Sequence, residues 1–107
     1  MQHNITTNQW SKLAFLEQIA HIGSEVERTI AWKEKGNEEY SKLAFFRSLE
    51  LFDLSTTCKH TYPQLKEMLR TREMWVDFIY FDNEYNSTSK QFRDYFNQLL
   101  MVLNRTK

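Results

Sequence analysis

The chain has 107 residues, in which fourteen basic and fourteen acidic side chains cancel. This balance argues against the basic excess that is typical of proteins bound to nucleic acid or to membrane surfaces. A hydrophobic content of 41% with 15% aromatic residues excludes a disordered linker, and the single cysteine excludes an internal disulfide. We expect one domain over residues 1–107, with a single hydrophobic core, in a soluble cytoplasmic protein without a membrane segment.

The scarcity of chain-breaking residues points to the fold class. The chain contains two glycines and one proline, whereas an all-β protein needs many turns and therefore many such residues. No stretch alternates apolar and polar residues for long, but several repeat apolar residues every three or four positions. The sequence therefore predicts an all-α protein, an antiparallel up-down four-helix bundle.

The first predicted helix covers residues 8–35. Its apolar positions follow one face from Trp10 to Ile30. Gly23 lies inside this helix, where it marks either a kink or the close approach of another helix. Gly36 is placed to end the helix in the left-handed conformation.

The second predicted helix covers residues 37–56. Asn37 is a typical N-cap, and Glu38 and Glu39 suit the positive end of a helix. Apolar side chains cover more than half of its circumference. A helix of this kind is either central in its domain or in contact with a partner.

The last two predicted helices cover residues 62–84 and 88–104. Pro63 suits the first turn of the third helix. The segment DNEYNSTS interrupts the apolar pattern, and Thr88 with Gln91 forms the capping box that starts the fourth helix. The short connections favour antiparallel neighbours.

The spacing of the acidic residues argues against a metal site. No glutamate is followed three residues later by histidine, which is the signature of di-iron bundles, and no Cys–His spacing suits zinc. Glu50 and Asp53 resemble half of the magnesium motif of all-α NTP pyrophosphatases. In that interpretation, Glu73 and Asp77 on the facing helix would be the other two carboxylates of the site. A magnesium-dependent nucleotide hydrolase is therefore the third-ranked hypothesis.

A simpler explanation of these charges is a row of ion pairs between the second and third helices. Folding the two helices back at residue 60 places Glu50 opposite Arg70, and Asp53 opposite Lys66 and Glu67. Exposed pairs of this kind contribute about 0–1 kcal/mol each. Since Cys58 and His60 also lack a third catalytic group, we expect no enzymatic activity, no cofactor and no metal.

The abundance of aromatic residues favours a binding surface for a second copy or another protein. Large rings exposed on a helical bundle are typical anchors of protein interfaces. The candidate partner surface comprises Trp32, Phe45, Phe46, Tyr80 and Tyr85. The leading hypothesis is a non-enzymatic bundle that self-associates or serves as an accessory subunit.

The alternative hypothesis is a nucleic-acid-binding accessory protein of a prokaryotic RNA- or DNA-processing system. Its candidate contacts are Lys66, Arg70 and Arg72, of which the first two are one helical turn apart. Glutamates lie beside these cations, and the chain as a whole lacks a basic excess, so nucleic acid is not the favoured partner.

The segment WKEKGNEEYSKLAFFRSLEL resembles part of a tetratricopeptide repeat. Counted from Trp32, Gly36 and Phe52 occupy the expected positions, whereas Ser48 and Ser55 replace two small alanines. The pattern has no second copy, and a single repeat cannot bury its own apolar face. The resemblance therefore implies a helical hairpin and no repeat architecture.

Over its whole length the chain resembles small uncharacterised prokaryotic helical-bundle proteins. The segments that carry this resemblance are GSEVERTIAWKEKGNEEY, FFRSLELFDLS and LRTREMWVDFIYFDNEYNST. The grouping implies a fold and no activity. In shape such bundles are similar to HEPN nucleases and to reverse-transcriptase accessory bundles. The chain lacks the HEPN arrangement of an arginine followed within a few residues by histidine, and it lacks the usual basic charge of the accessory bundles.

Overall fold

The structure, a computed structural model, describes Trp10, residues 13–58 and residues 60–106; the side chains at position 100 and from position 102 onward lie outside this description. The residues from 13 onward that the structure describes form four helices: α1 (Phe15–Glu34), α2 (Glu38–Thr56), α3 (Tyr62–Tyr80) and α4 (Ser89–Thr106). Helix α1 packs against α2 and α4, and α2 also packs against α3. The described part of the chain contains no strand, and the predicted all-α four-helix bundle is confirmed.

Helix α1 begins later than predicted. Of the residues expected to form its first turns, only Trp10, Leu13 and Ala14 are among those described, and the last two are not helical. The backbone amide of Ala14 donates to Glu17 Oε1 at 3.1 Å. This bond satisfies an amide at the start of the helix that would otherwise have no partner, so the chain can begin a regular helix at Phe15.

Gly23 marks a contact between helices and not a kink. Helix α1 is unbroken through this position. A Cβ atom built on Gly23 would lie 2.9 Å from Cδ1 of Phe96, on α4. The absence of a side chain therefore lets the Phe96 ring lie directly against the backbone of α1.

The predicted helix ends are confirmed where local chemistry determines them. Gly36 has a φ of 79°, the left-handed conformation that closes α1. Asn37 Oδ1 accepts from the amide of Tyr40 at 3.0 Å. Thr88 and Gln91 exchange the two bonds of a capping box, at 2.9 and 3.2 Å.

Helix α3 ends at Tyr80, before the predicted position 84. The chain leaves the helix at Phe81, whose backbone is extended, and Asn83 and Asn86 then adopt left-handed conformations, with φ of 53° and 52°. Asparagine tolerates this region better than most residues. The buried Asp77 carboxylate accepts from the amide of Tyr85 at 3.2 Å, which holds the 81–88 connection against α3.

Two buried tryptophans are bonded to serines on α2. The indole N–H of Trp75 donates to Ser48 Oγ at 2.9 Å, and that of Trp10 donates to Ser55 Oγ at 2.8 Å. Both serines are fully buried. Small side chains on α2 thus make room for the large rings and satisfy their polar atoms. The core around them consists of Ile19, Ile22, Val26, Ile30, Phe45, Leu51, Phe52, Met68, Phe92 and Phe96.

The predicted ion pairs between α2 and α3 are shifted along the helices. Asp53 Oδ1 lies 3.1 Å from Arg72 Nε, whereas the prediction placed Asp53 opposite Lys66 and Glu67. Side chains on a helix lean toward its N-terminus. Asp53 therefore leans away from the 57–61 connection while Arg72 reaches toward it, and these two displacements add in an antiparallel pair.

Candidate interaction surfaces

Exposed apolar side chains meet where the N-terminal half of α2 lies beside the end of α3. Phe46 and Tyr80 have ring centroids 6.2 Å apart, and the ring of Phe81 lies 6.5 Å from that of Tyr80. Leu43 lines a shallow depression together with Phe46. These four side chains, which we call the aromatic face, are between 43 and 71% exposed.

Phe45 was predicted as part of the partner surface, and this is wrong. Its side chain is 1% exposed and lies beneath the aromatic face. The ring centroid of Phe45 is 5.2 Å from that of Tyr80 and 5.9 Å from those of Phe46 and Trp75. Because apolar residues surround most of α2, their spacing did not show which neighbour in the Phe45–Phe46 pair faces the core.

The other predicted surface residues do not all join the aromatic face. Trp32 is half-buried and packs edge-on against Tyr40 at 4.9 Å, with the Lys35 ammonium 5.0 Å from its ring centroid. Tyr85 is exposed but lies in the 81–88 connection, where its hydroxyl donates to Glu73 Oε1 at 2.8 Å. This bond to a carboxylate raises the pKa of Tyr85. Phe46 and Tyr80 are thus the predicted pair that the fold brings together on the surface.

A second feature is a groove of about 670 Å³ between α3 and α4, closed at one end by the 81–88 connection. We call it the α3–α4 groove. Apolar side chains from both helices form its walls: Met74 on α3, with Phe92 and Tyr95 on α4. Lys66 and Arg70 on α3 add two positive charges.

Hydrogen bonds between Tyr95 and α3 hold the two walls together. The Tyr95 hydroxyl donates to Glu67 Oε1 at 3.0 Å, and Thr71 Oγ1 lies 3.4 Å from the same hydroxyl oxygen. Burial of the phenol raises the pKa of Tyr95 to about 12, and the Glu67 carboxylate acts in the same direction. The groove is therefore bridged near its middle by a neutral, hydrogen-bonded tyrosine.

The three cations of the nucleic-acid hypothesis do not form one cluster. Lys66 and Arg70 are exposed and line the α3–α4 groove. Arg72 is half-buried and bonded to Asp53 on the α2 side of the same helix. Glu67 lies between the two groove cations in sequence and also lines the groove, so the net charge of the site is small.

Three of the four carboxylates of the nucleotide-hydrolase hypothesis are bound by other groups, and the fourth, Glu50, is exposed on α2. Asp53 binds Arg72, Glu73 accepts from Tyr85, and Asp77 accepts from the amide of Tyr85. Across Trp10, residues 13–58 and residues 60–106, no three His, Cys, Asp or Glu side chains converge as metal ligands would. The described helices also include none that is long and apolar enough to span a lipid bilayer.

Ser87 is a groove residue that sequence reasoning missed. Ser87 is 5% exposed. Its amide donates to Asn83 Oδ1 at 2.8 Å, and its carbonyl accepts from Asn83 Nδ2 at 2.9 Å. The sequence pattern predicted only that the DNEYNSTS segment interrupts the helices, although its two asparagines are residues that favour left-handed turns. No sequence signal placed Ser87 inside a cavity, because that depends on the distance between α3 and α4.

Comparison of the chain with protein-family models, with curated proteins and with solved structures finds no significant match.

Proposed function

We propose that the protein is a non-enzymatic helical-bundle subunit that self-associates, with the aromatic face of one copy packed on that of a second copy. The observation that carries this proposal is that Phe46, Tyr80 and Phe81 form a continuous row of rings and remain between 43 and 71% exposed. A cluster of rings at the surface is the usual centre of a protein interface.

The energetics favour covering these rings. Full burial of an exposed side chain of this size contributes about 1.5–3 kcal/mol, so covering the exposed part of each of these rings contributes roughly half of that. Aromatic pairs add about 0.5–1.5 kcal/mol beyond the area that they bury. Because the buried Phe45 supports the rings from below, the face loses little conformational freedom when a partner covers it.

The charges beside the aromatic face suit a second copy. Lys42 shares the depression of Leu43 and Phe46 with two acids, Glu38 and Glu39. In a two-fold symmetric dimer, the same patch occurs on both subunits, so Lys42 of one copy can meet an acid of the other. A chain with no net charge also produces no general repulsion between copies.

The test is the molar mass of the wild-type protein and of Phe46→Glu, measured by size-exclusion chromatography with light scattering. We expect a dimer for the wild type and a folded 13.0-kDa monomer for Phe46→Glu, since Phe46 is exposed in the single chain. The matched control is Tyr62→Glu, which changes a 76% exposed ring at the opposite end of α3. That position is about 27 Å along the helix axis from Tyr80. Equal masses for the wild type and Phe46→Glu would refute the proposal.

The alternative role as a nucleic-acid-binding accessory protein has less support, because Arg72 is turned away from Lys66 and Arg70 and is neutralised by Asp53. The same chromatography tests it. An elution peak with excess absorbance at 260 nm that nuclease removes would favour nucleic acid. Binding through phosphates would also weaken steeply with salt, because bound counterions are released.

A further inference from the structure

The α3–α4 groove contains a buried polar atom without a partner. Ser87 Oγ is shielded from solvent, and no hydrogen-bond partner lies within its reach among the described residues. Ser87 also lines the groove. Leaving a buried hydroxyl unpaired costs about 1–3 kcal/mol. An acceptor bound in the groove would remove that cost.

The local backbone holds Ser87 rigidly at the closed end of the groove. Asn83 Nδ2 donates to the carbonyl of Ser87 at 2.9 Å, and the amide of Ser87 donates to Asn83 Oδ1 at 2.8 Å. The next residue, Thr88, is the N-cap of α4. Ser87 is therefore adjacent to the positive end of the α4 dipole, which favours a negatively charged group nearby.

The charges that line the groove favour a single negative charge on the ligand. Lys66 and Arg70 are cationic, and Glu67 is the acid among the lining residues. Glu67 Oε1 already accepts a hydrogen bond from the hydroxyl of Tyr95, at 3.0 Å. The lining thus carries one net positive charge, which a monoanion balances, whereas a doubly charged phosphate would exceed it.

The remaining walls favour an apolar body. Met74, Phe92 and Tyr95 supply a thioether and two rings, and the stems of Lys66 and Arg70 extend this apolar surface. The volume of 670 Å³ lies within the range of about 300–1,000 Å³ that is usual for small-molecule sites. An apolar chain or ring system can lie along the groove while its head group reaches Ser87.

We propose that the α3–α4 groove binds an amphipathic carboxylate of the fatty-acid class. The carboxylate accepts a hydrogen bond from Ser87 Oγ and pairs with Arg70, while Lys66 adds positive charge. The apolar chain lies against Met74, Phe92 and Tyr95. Since Leu43, Phe46, Tyr80 and Phe81 are not among the residues that line the groove, this site is separate from the aromatic face.

The experiment is calorimetric titration of the full chain with dodecanoate below its micelle concentration, with dodecanol and dodecylammonium as head-group controls. We expect saturable binding of dodecanoate and at least tenfold weaker binding of the other two compounds. Ser87→Ala and Arg70→Gln should each weaken dodecanoate binding by about tenfold, the effect of one hydrogen bond to a charged group. Ser87→Ala should leave the melting temperature unchanged or raised, because Ser87 Oγ has no partner to lose.

Matched variants separate the groove from other surfaces. Arg72→Gln removes a cation from the same helix outside the groove, and Phe46→Glu changes the aromatic face; both should bind dodecanoate as the wild type does. Amide chemical shifts should change mainly within residues 66–74 and 85–95. The proposal is overturned if dodecanoate binding does not saturate, if dodecanol binds equally well, or if Ser87→Ala and Arg70→Gln bind dodecanoate normally. It is also overturned if AMP, which carries a doubly charged phosphate, binds and dodecanoate does not.

Discussion

Replacing Gly23 by alanine tests the packing of α1 against α4. The added Cβ would lie 2.9 Å from Phe96 Cδ1 and 3.1 Å from both Cβ and Cγ of Phe96. Favourable contacts between carbon atoms occur at about 3.5–4.0 Å, so the new methyl group overlaps the ring by roughly half an ångström. One of the three contacts is to the root of the Phe96 side chain, which cannot move unless α4 moves.

Two opposing effects determine the size of the change. Alanine is a better helix former than glycine, which by itself would stabilise α1 by about 1 kcal/mol. Overpacking in a filled core costs about 1–3 kcal/mol, and Phe96 is only 4% exposed. We expect overpacking to dominate, with a net loss of up to about 2 kcal/mol in the free energy of unfolding.

The assay is urea unfolding followed by circular dichroism, with thermal melts as a second measure. A loss of 1 kcal/mol should lower the melting temperature of a domain of this size by about 4–8 °C. Ser24→Ala, at the exposed neighbouring position, is the control and should change stability by no more than about 0.5 kcal/mol. In a Phe96→Ala background, which removes the ring but keeps Cβ, Gly23→Ala should cost less stability than it does in the wild type. If Gly23→Ala stabilises the otherwise unchanged protein, the close approach of Phe96 is refuted.

Three further predictions concern single side chains. Ser48→Ala should lower the free energy of unfolding by about 1–3 kcal/mol in urea titrations, because it leaves the buried Trp75 N–H without its acceptor. Arg93→Ala should cost about 1 kcal/mol or less in dilute buffer and almost nothing in high salt, since its partially exposed ion pairs with α1 are screened. Tyr95 should make stability pH-dependent: its pKa is about 12 in the folded chain and 10.0 in the reference state. Its contribution is therefore complete below pH 10 and is lost as the pH rises toward 12.

Controls make these three predictions specific. Ser24→Ala is again the control for Ser48→Ala. Equal losses of stability in the two variants would contradict the role of the hydrogen bond from the Trp75 indole. An Arg93→Ala effect that persists in high salt would show that packing, and not charge, dominates at that position. For Tyr95, absorbance titration of the ionised phenol should lose its highest-pH step in Tyr95→Phe; if the step remains, another tyrosine is responsible.

Local signals in the sequence predicted much of the fold. Gly36, Asn37 and the Thr88–Gln91 pair end or begin helices through bonds to their own neighbours, so their roles follow from sequence alone. For Gly23, the sequence predicted either a kink or the close approach of another helix. Choosing the close contact over the kink required the position of a residue on a distant helix, Phe96.

Features that depend on distant contacts could not be predicted. In the sequence, Ser48 and Ser55 are departures from a repeat pattern. In the structure, each accepts a hydrogen bond from the indole N–H of a tryptophan that is remote in sequence. Phe45 and Phe46 are equally apolar neighbours, and only the packing of α3 assigns one to the core and the other to the surface. The unpaired hydroxyl of Ser87 likewise belongs to a residue beside a groove that forms only when α3 and α4 come together.

The central claim is self-association through the aromatic face, and the most direct measurement is the molar mass of the wild-type protein by light scattering over a wide range of concentration. A second copy packed on Leu43, Phe46, Tyr80 and Phe81 predicts twice the 13.0 kDa of one chain at high concentration. Dilution should then return the mass to that of one chain. A mass of 13.0 kDa at every concentration would contradict the account.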